Sequence, residues 1–457
     1  MTDYAAPIDE FLQQHLDAYI AETGRLCAVP SVSAVGGPAM AACAEVVAAM
    51  LRSRGFTVEL VPTAGNPIVL GRADGASERT LLFYNHYDVQ PAEPLELWTA
   101  PPFEPSLRDG ALYARGAKDD KGEFMARLAA VDAVRAAHGG RLPCGVLFVV
   151  EGEEEIGSPH IAQFVQEHLD ALRCDASIWE EGGINAEGRP TASLGRRGIL
   201  YVELAVETMR RDAHSGGASV LPNAAWRLLW ALGSLKGPDN RIRIPGFYDA
   251  AQPPSAGDLA LYAKLPSDEA VMREDYGVRE FVNGRTGDSF MQANFDPTCN
   301  IAGLTAGYQG AGMKTVIPAQ ATAKVDFRLV PDQDPDDILA KLRAHLDAAG
   351  FADVQVRRLG AMWPDKAAAD DPFVTLTAQT GLEVYGLESR LIPTTGGSSP
   401  VYAFARPLGI PVMTAGVGYP DSRTHAPDEH VRLDHFLNGA RHIARILDRF
   451  ADLAETP

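Results

Sequence analysis

His86-Tyr87-Asp88 follows directly on the apolar run 80–84. Positions two apart on an extended chain point the same way, so Asp88 can hydrogen-bond His86 and orient it, as carboxylates do behind metal-bound imidazoles. The same tripeptide also suits a plain surface turn. Arg115-Gly116-Ala117-Lys118-Asp119-Asp120-Lys121-Gly122 stands at a helix entry, where one aspartate is expected to cap the helix and leave the other free for a metal. Glu151-Gly152-Glu153-Glu154-Glu155 places four carboxylates in five residues. A cation would relieve their repulsion, and so would solvent at a helix N-terminus. The position just after the core-like run 144–150 favours the cation, since ligands of open α/β sheets collect at the carboxyl ends of strands. Trp179-Glu180-Glu181-Gly182-Gly183 closes another apolar run, and His425 lies far downstream in Thr424-His425-Ala426-Pro427-Asp428-Glu429. Histidine and carboxylate without cysteine describe a catalytic two-metal site better than a structural zinc site. The chemistry indicated is metal-assisted hydrolysis.

These residues need a scaffold, and the hydropathy pattern supplies one. Ile8, Phe11, Leu12, Leu16, Tyr19 and Ile20 recur at helical spacing, and further helices are expected over 38–54, 121–138 and 157–172. Strands are expected over 56–61, 67–71, 80–85 and 144–150. Strands alternating with helices indicate an α/β sheet flanked by helices. Past Arg197 the order becomes strand 199–207, helix 223–236, strands 298–305 and 319–329, helix 335–348 and strand 354–360. That β-α-β-β-α-β order is the split arrangement of a ferredoxin-like α+β domain, with 237–297 as an insertion. The expected division is a catalytic domain of 1–198 and 363–457, with 199–362 inserted.

Composition narrows the classes. A chain of 457 residues exceeds one growing core, so two domains are expected. Its 41 Lys+Arg against 60 Asp+Glu leave a net charge of −19, which repels phosphate backbones and excludes nucleic acid as a partner. No uncharged apolar stretch approaches the roughly 20 residues that cross a bilayer, so no membrane partner is expected. The start Met1-Thr2-Asp3-Tyr4 lacks a signal-peptide pattern, and the five cysteines form no C-x-x-C. A reducing, cytoplasmic location is expected.

Taken together, the strings resemble the aminoacylase/carnosinase family of dinuclear zinc metallopeptidases over nearly the whole chain. H-Y-D-V-Q-P at 86–91, L-Y-A-R-G-A-K-D-D-K-G at 112–122 and E-G-E-E-E-I-G-S at 151–158 match its successive signatures, and D-A-H-S-G at 212–216 and K-T-V-I-P at 314–318 match its inserted domain. The resemblance implies two zinc ions, with manganese or cobalt as alternatives. It places His86 and Glu181 on one ion, Glu155 and His425 on the other, and Asp119 between them, with Glu180 remaining as an alternative to Glu181. Glu154 is the implied general base and Asp88 the support of His86. A cis peptide between Asp119 and Asp120 is implied as well. Arg328, Asn300 and the Gly396-Gly397-Ser398 loop are the implied contacts to a substrate carboxylate. The inserted domain is expected to form a homodimer in which His214 serves the partner's site.

The expected substrate is a dipeptide or short peptide with a free carboxyl end. The alternatives are an N-acyl amino acid, cleaved by a deacylase with the same site, and a non-catalytic binding protein on the same fold. The presence of every implied ligand and of the base argues against the last. His160, His168, His345 and His442 lie in helical surroundings and are expected to be surface or satisfied core residues.

Overall fold

The computed structural model describes residues 4–453, so the expectation resting on Met1-Thr2-Asp3 lies outside the described residues. The chain forms two compact units, Met1–Leu194 with Ala367–Ile392 and Ala403–Pro457, and Gly195–Lys366 with Pro393–Tyr402.

The first unit is built on a six-stranded mixed sheet. Its strands run in the order Thr57–Val61, Ile68–Ala73, Gly145–Glu151, Thr80–His86, Ala176–Trp179 and Val412–Thr414. The last four are mutually parallel. Gly145–Glu151 is buried at every position, which explains its continuous apolar sequence: a strand covered on both faces has no polar side to show. Phe148 from this strand packs its ring against Phe56, Phe83 and Phe124. Helix Lys121–Ala137 is alanine-rich and almost wholly buried, and its small side chains let helices Ala5–Cys27 and Leu433–Phe450 pack closely on it.

The parallel register places functional residues side by side. His86 pairs with Glu151 and Phe83 with Ile178, so the carboxyl ends carrying His86, the acidic turn and Glu180 leave the same edge of the sheet. The helix expected over 157–172 is shorter. A 3-10 turn, Glu154–Ile156, ends at left-handed Gly157, Pro159 follows, and the α-helix proper is Ile161–Glu167. Proline lacks the N–H that an earlier helix would need.

The second unit has an antiparallel sheet ordered Thr298–Ala306, Gln320–Leu329, Gly198–Glu207, Gln355–Met362, with helices Ala224–Leu235 and Pro335–Ala348. Alternate residues Leu200, Val202, Leu204 and Val206 meet Ala323, Val325 and Phe327 and both helices in one core. This is the split β-α-β arrangement. The 237–297 segment carries three short α-helices of its own, Ala256–Tyr262, Glu269–Asp275 and Gly287–Met291. The unit is wider than the expected 199–362: it runs from Gly195 to Lys366 and also takes in Pro393–Tyr402. Thr395 N donates to Gly195 O at 3.0 Å, and the Tyr402 ring lies 5.3 Å from that of Trp363.

Candidate dinuclear metal centre

The first unit gathers the acid and histidine strings at the carboxyl ends of its parallel strands. His86 ends Thr80–His86 and is 1% exposed. Its Nδ1 lies 3.1 Å from Asp88 O and 3.3 Å from the Asp88 carboxylate, and its Nε2 lies 3.1 Å from Asp119 Oδ1. Asp119 Oδ2 is 3.0 Å from His425 Nε2, which lies 3.1 Å from Glu155 Oε2. One carboxylate thus reaches toward two histidines with separate oxygens. Ligand atoms of Asp119, Glu155 and His425 lie within 4.8 Å of one another, a spacing that could hold a metal ion.

Backbone geometry serves this cluster. The peptide bond between Asp119 and Asp120 is cis, as the resemblance implies. His425 sits at φ 62°, and Arg423 and Asp428 beside it also have left-handed backbones, a costly concentration in so short a loop. The helix-capping role expected of one aspartate is not filled. Asp120 makes no side-chain cap to Lys121–Ala137, but accepts Asn85 Nδ2 at 2.6 Å and His86 N at 3.0 Å.

The acidic run is sorted residue by residue. Glu151 turns into the core, where it accepts Tyr84 Oη and, at 2.8 Å, Ser158 Oγ; burial raises its pKa to about 8. Glu153 pairs with His160 Nδ1 at 2.6 Å. Asp88, besides facing His86, accepts the Glu154 and Glu155 amides at 3.2 and 3.0 Å and so fixes the turn. Glu155 turns toward His425 and accepts Gln90 Nε2 at 2.9 Å. No protein group among the described residues donates to the Glu154 carboxylate, and burial with neighbouring charge raises its pKa to about 7.

Glu181, the ligand implied by resemblance, is exposed. Glu180 is the acid turned inward, 6% exposed, with Oε1 accepting Trp179 Nε1 at 3.0 Å and Oε2 buried without a partner. Burial and the nearby Glu154 carboxylate hold its pKa well above the ordinary range. The geometry thus favours Glu180.

The donor set fits divalent cations. Glu155 Oε1 and Glu180 Oε2 are buried oxygens with no protein donor, a costly state that a metal ion would relieve. Hydrogen bonds to Asp119 and Glu155 hold the His425 pKa at about 10, and those to Asp119 and Asp88 outweigh burial and keep that of His86 well raised. Imidazoles so surrounded by carboxylates require positive charge, which a cation supplies in place of the proton.

Glu429 carries no signal in sequence composition yet anchors the centre. Fully buried, it accepts Arg115 Nη1 at 2.8 Å and the amides of Gly116, Lys118 and Asp119, each at 3.0 Å. It ties the chain bearing His425 to the turn bearing Asp119. The other histidines are satisfied locally: His168 on Phe164 O, His345 on Ser234, and buried His442 on Thr377 O.

The remaining candidates lie in the second unit. Arg328 Nη1 donates to Ser398 Oγ at 2.8 Å, beside Gly396 and Gly397 in the same loop. Asn300 Nδ2 donates to Asp326 at 2.8 Å. His214 is exposed; its Nδ1 accepts Gly216 N at 3.0 Å and its Nε2 lies 3.3 Å from Thr315 Oγ1.

Comparison with known proteins agrees with this chemistry. A family model described as peptidase family M20/M25/M40 matches residues 82–449. A Beta-Ala-His dipeptidase of Mus musculus is 28% identical over 385 residues, 82% of this chain and 78% of the relative. A Cys-Gly metallodipeptidase of Saccharomyces cerevisiae is 26% identical over 411 residues, 85% of this chain and 83% of the relative. An M20 family metallo-carboxypeptidase from Sulfolobus solfataricus superposes with a TM-score of 0.82 at 32% identity, covering 95% of this chain and 99% of that one. No helix among the described residues is long and apolar enough to cross a membrane.

Proposed function

The chain belongs to peptidase family M20/M25/M40 and is a metallopeptidase-type hydrolase, and on that premise we propose that it cleaves the amide bond of dipeptides or short peptides with a free carboxylate. The observation that carries this reading is Asp119 set between His86 and His425, with the Glu154 carboxylate close to His86 and Asp119 and without a hydrogen bond among the described residues. In this reading His86 and Glu180 would hold one divalent cation and Glu155 and His425 the other, with Asp119 available to both. When bound, such a pair supplies Lewis acidity toward the scissile carbonyl and makes water more acidic. Zinc is the expected metal, since imidazole and carboxylate suit it, with manganese or cobalt set by availability.

Glu154 takes the proton of the attacking water and returns it to the leaving amine, which requires a carboxylate that is not itself a ligand. Asp88 keeps the His86 ring fixed and holds the turn that aims Glu154. Arg328, Asn300 and the Gly396-Gly397-Ser398 loop hold the substrate carboxylate. His214 serves the site of a second subunit, where an imidazole donor to the oxyanion contributes about 3 kcal/mol. Two features of the second unit support pairing. Strand Thr298–Ala306 is a sheet edge that exposes Ile301 and Leu304, and helix Ala224–Leu235 exposes Trp226, Leu229 and Trp230.

The test is a panel of dipeptides set against N-acetyl and N-succinyl amino acids, with metal content measured on the same sample. Faster turnover of the N-acyl amino acids would make the protein a deacylase, and turnover of neither would remove the reading. For His214, inactive Glu154→Gln and His214→Ala proteins are mixed and allowed to exchange subunits. Activity returns if His214 works in trans, and exchange confirmed by mass without activity refutes that role.

A further inference from the structure

Two arginines of the second unit stand side by side, and neither makes an ion pair among the described residues. Arg328 lies opposite Ile199 in the ladder between Gln320–Leu329 and Gly198–Glu207. Side chains alternate along a strand, so Arg197, two residues before Ile199, shares its face and is the diagonal neighbour of Arg328. Leu200, Val202 and Leu204 fill the opposite, helix-covered face, so both guanidinium groups lie on the side away from the helices.

Their partners are neutral. Arg197 donates Nη1 to Asp296 O at 3.1 Å and Nε to Gly396 O at 3.4 Å, and Arg328 donates Nη1 to Ser398 Oγ at 2.8 Å. These bonds fix both planes while leaving most of the five N–H groups of each guanidinium unused. The acids nearby are engaged elsewhere: Asp296 pairs with Arg285, and Asp326 accepts Asn300 Nδ2 at 2.8 Å. Neither Arg197 nor Arg328 makes an ion pair among the described residues. Burial, and after it the adjacent Arg328 charge, lowers the Arg197 pKa against the opposing pull of Asp326 and Asp296, although a guanidinium stays charged. Two like charges share one partly desolvated face, offset only in part by the Asp326 and Asp296 carboxylates, and an added anion would relieve the remaining repulsion. The Gly396-Gly397 backbone leaves room, since a Cβ on Gly397 would meet nothing within 4 Å.

We propose that Arg197 is a specificity-determining residue: with Arg328 it forms a two-cation subsite for a ligand bearing two carboxylates, a peptide whose C-terminal residue is aspartate or glutamate. Arg328 takes the main-chain carboxylate and Arg197 the side-chain one. This deepens the dipeptidase reading and rests on it.

The experiment compares Ala-Glu with its near-isosteric neutral partner Ala-Gln on the zinc-loaded protein. The expected kcat/KM ratio is at least about tenfold in favour of Ala-Glu, falling as salt is raised. In Arg197→Gln that ratio collapses to within threefold, whereas Arg197→Lys, which keeps the charge without the fork, stays above threefold. A wild-type ratio below threefold overturns the proposal whatever the variants do, and so does a ratio unchanged in a folded Arg197→Gln protein. Equal cleavage of both peptides defeats the two-cation subsite alone. Cleavage of no dipeptide defeats the dipeptidase reading, and calorimetric binding of Ala-Glu against Ala-Gln then decides the subsite by itself.

Discussion

Glu429→Gln is expected to damage both the stability of the first unit and its hold on metal. The wild-type carboxylate accepts four hydrogen bonds, two on each oxygen, in a fully buried place. Glutamine keeps one oxygen and turns an NH2 group toward donors. If the amide faces Lys118 N and Asp119 N, two buried N–H groups lose their acceptor at about 1–3 kcal/mol each. If it faces Arg115 and Gly116 N, a buried guanidinium is left without its anion, at about 3–5 kcal/mol. The first orientation predicts a loss of about 2–6 kcal/mol, and the second, with the Gly116 N–H added, about 4–8 kcal/mol. The Asp119 backbone also loses its tether, and support of this kind is worth about 10–100-fold in metal affinity. Denaturant titration of metal-free protein reads the first effect, and calorimetric zinc titration of folded protein reads the second. A variant within about 1 kcal/mol of wild type that binds zinc equally well would show that this network does not hold the Asp119 turn.

Three further outcomes are expected. Glu180→Gln loses one of two metal ions by elemental analysis while Glu181→Gln keeps both; the reverse would restore Glu181 as the ligand. Glu154→Gln keeps two metals but loses about 10²–10⁴ in kcat. Because the Glu154 pKa of about 7 is pulled down by bound cations and the base works deprotonated, kcat/KM falls as pH drops through a value at or below 7; an acid limb retained in the residual activity of Glu154→Gln would reassign the base. Burial lowers the His442 pKa to about 4, below its unfolded value near 6.5. Its contribution is therefore complete above 6.5 and lost as pH falls through 4, and His442→Gln should remove roughly 3 kcal/mol of that pH dependence in denaturant midpoints.

The ligand strings were legible because each sits where an apolar run ends, and parallel strands bring such ends to one edge. The helix–strand order of the inserted domain was legible because its two periodicities differ. What escaped was direction. Glu180 and Glu181 differ by one residue, which in extended chain means opposite sides, and the indole N–H of Trp179 marks the inward one. The acidic run reads as four equivalent carboxylates, but Tyr84 and His160, distant or downstream, claim Glu151 and Glu153. Pro393–Tyr402 groups with the second unit through Gly195 and Arg328, partners remote in sequence that a loop without periodicity cannot announce.

The edge strand Val412–Thr414 and the loop bearing His425 have a bearing on biosynthesis. As the chain leaves the ribosome, His86, Asp119, Glu155 and Glu180 emerge early, and the whole stretch Gly195–Lys366 intervenes before His425. Throughout that interval Ala176–Trp179 lacks its outer parallel neighbour, and the carboxylates of Asp119 and Glu155 lack the His425 imidazole. Long-range parallel pairing is slow, and an unpaired strand edge invites aggregation. A chain stopped before Val412–Thr414 and His425 lacks both the outer strand and one of the proposed metal-holding residues, and is expected to bind fewer cations than the longer chain.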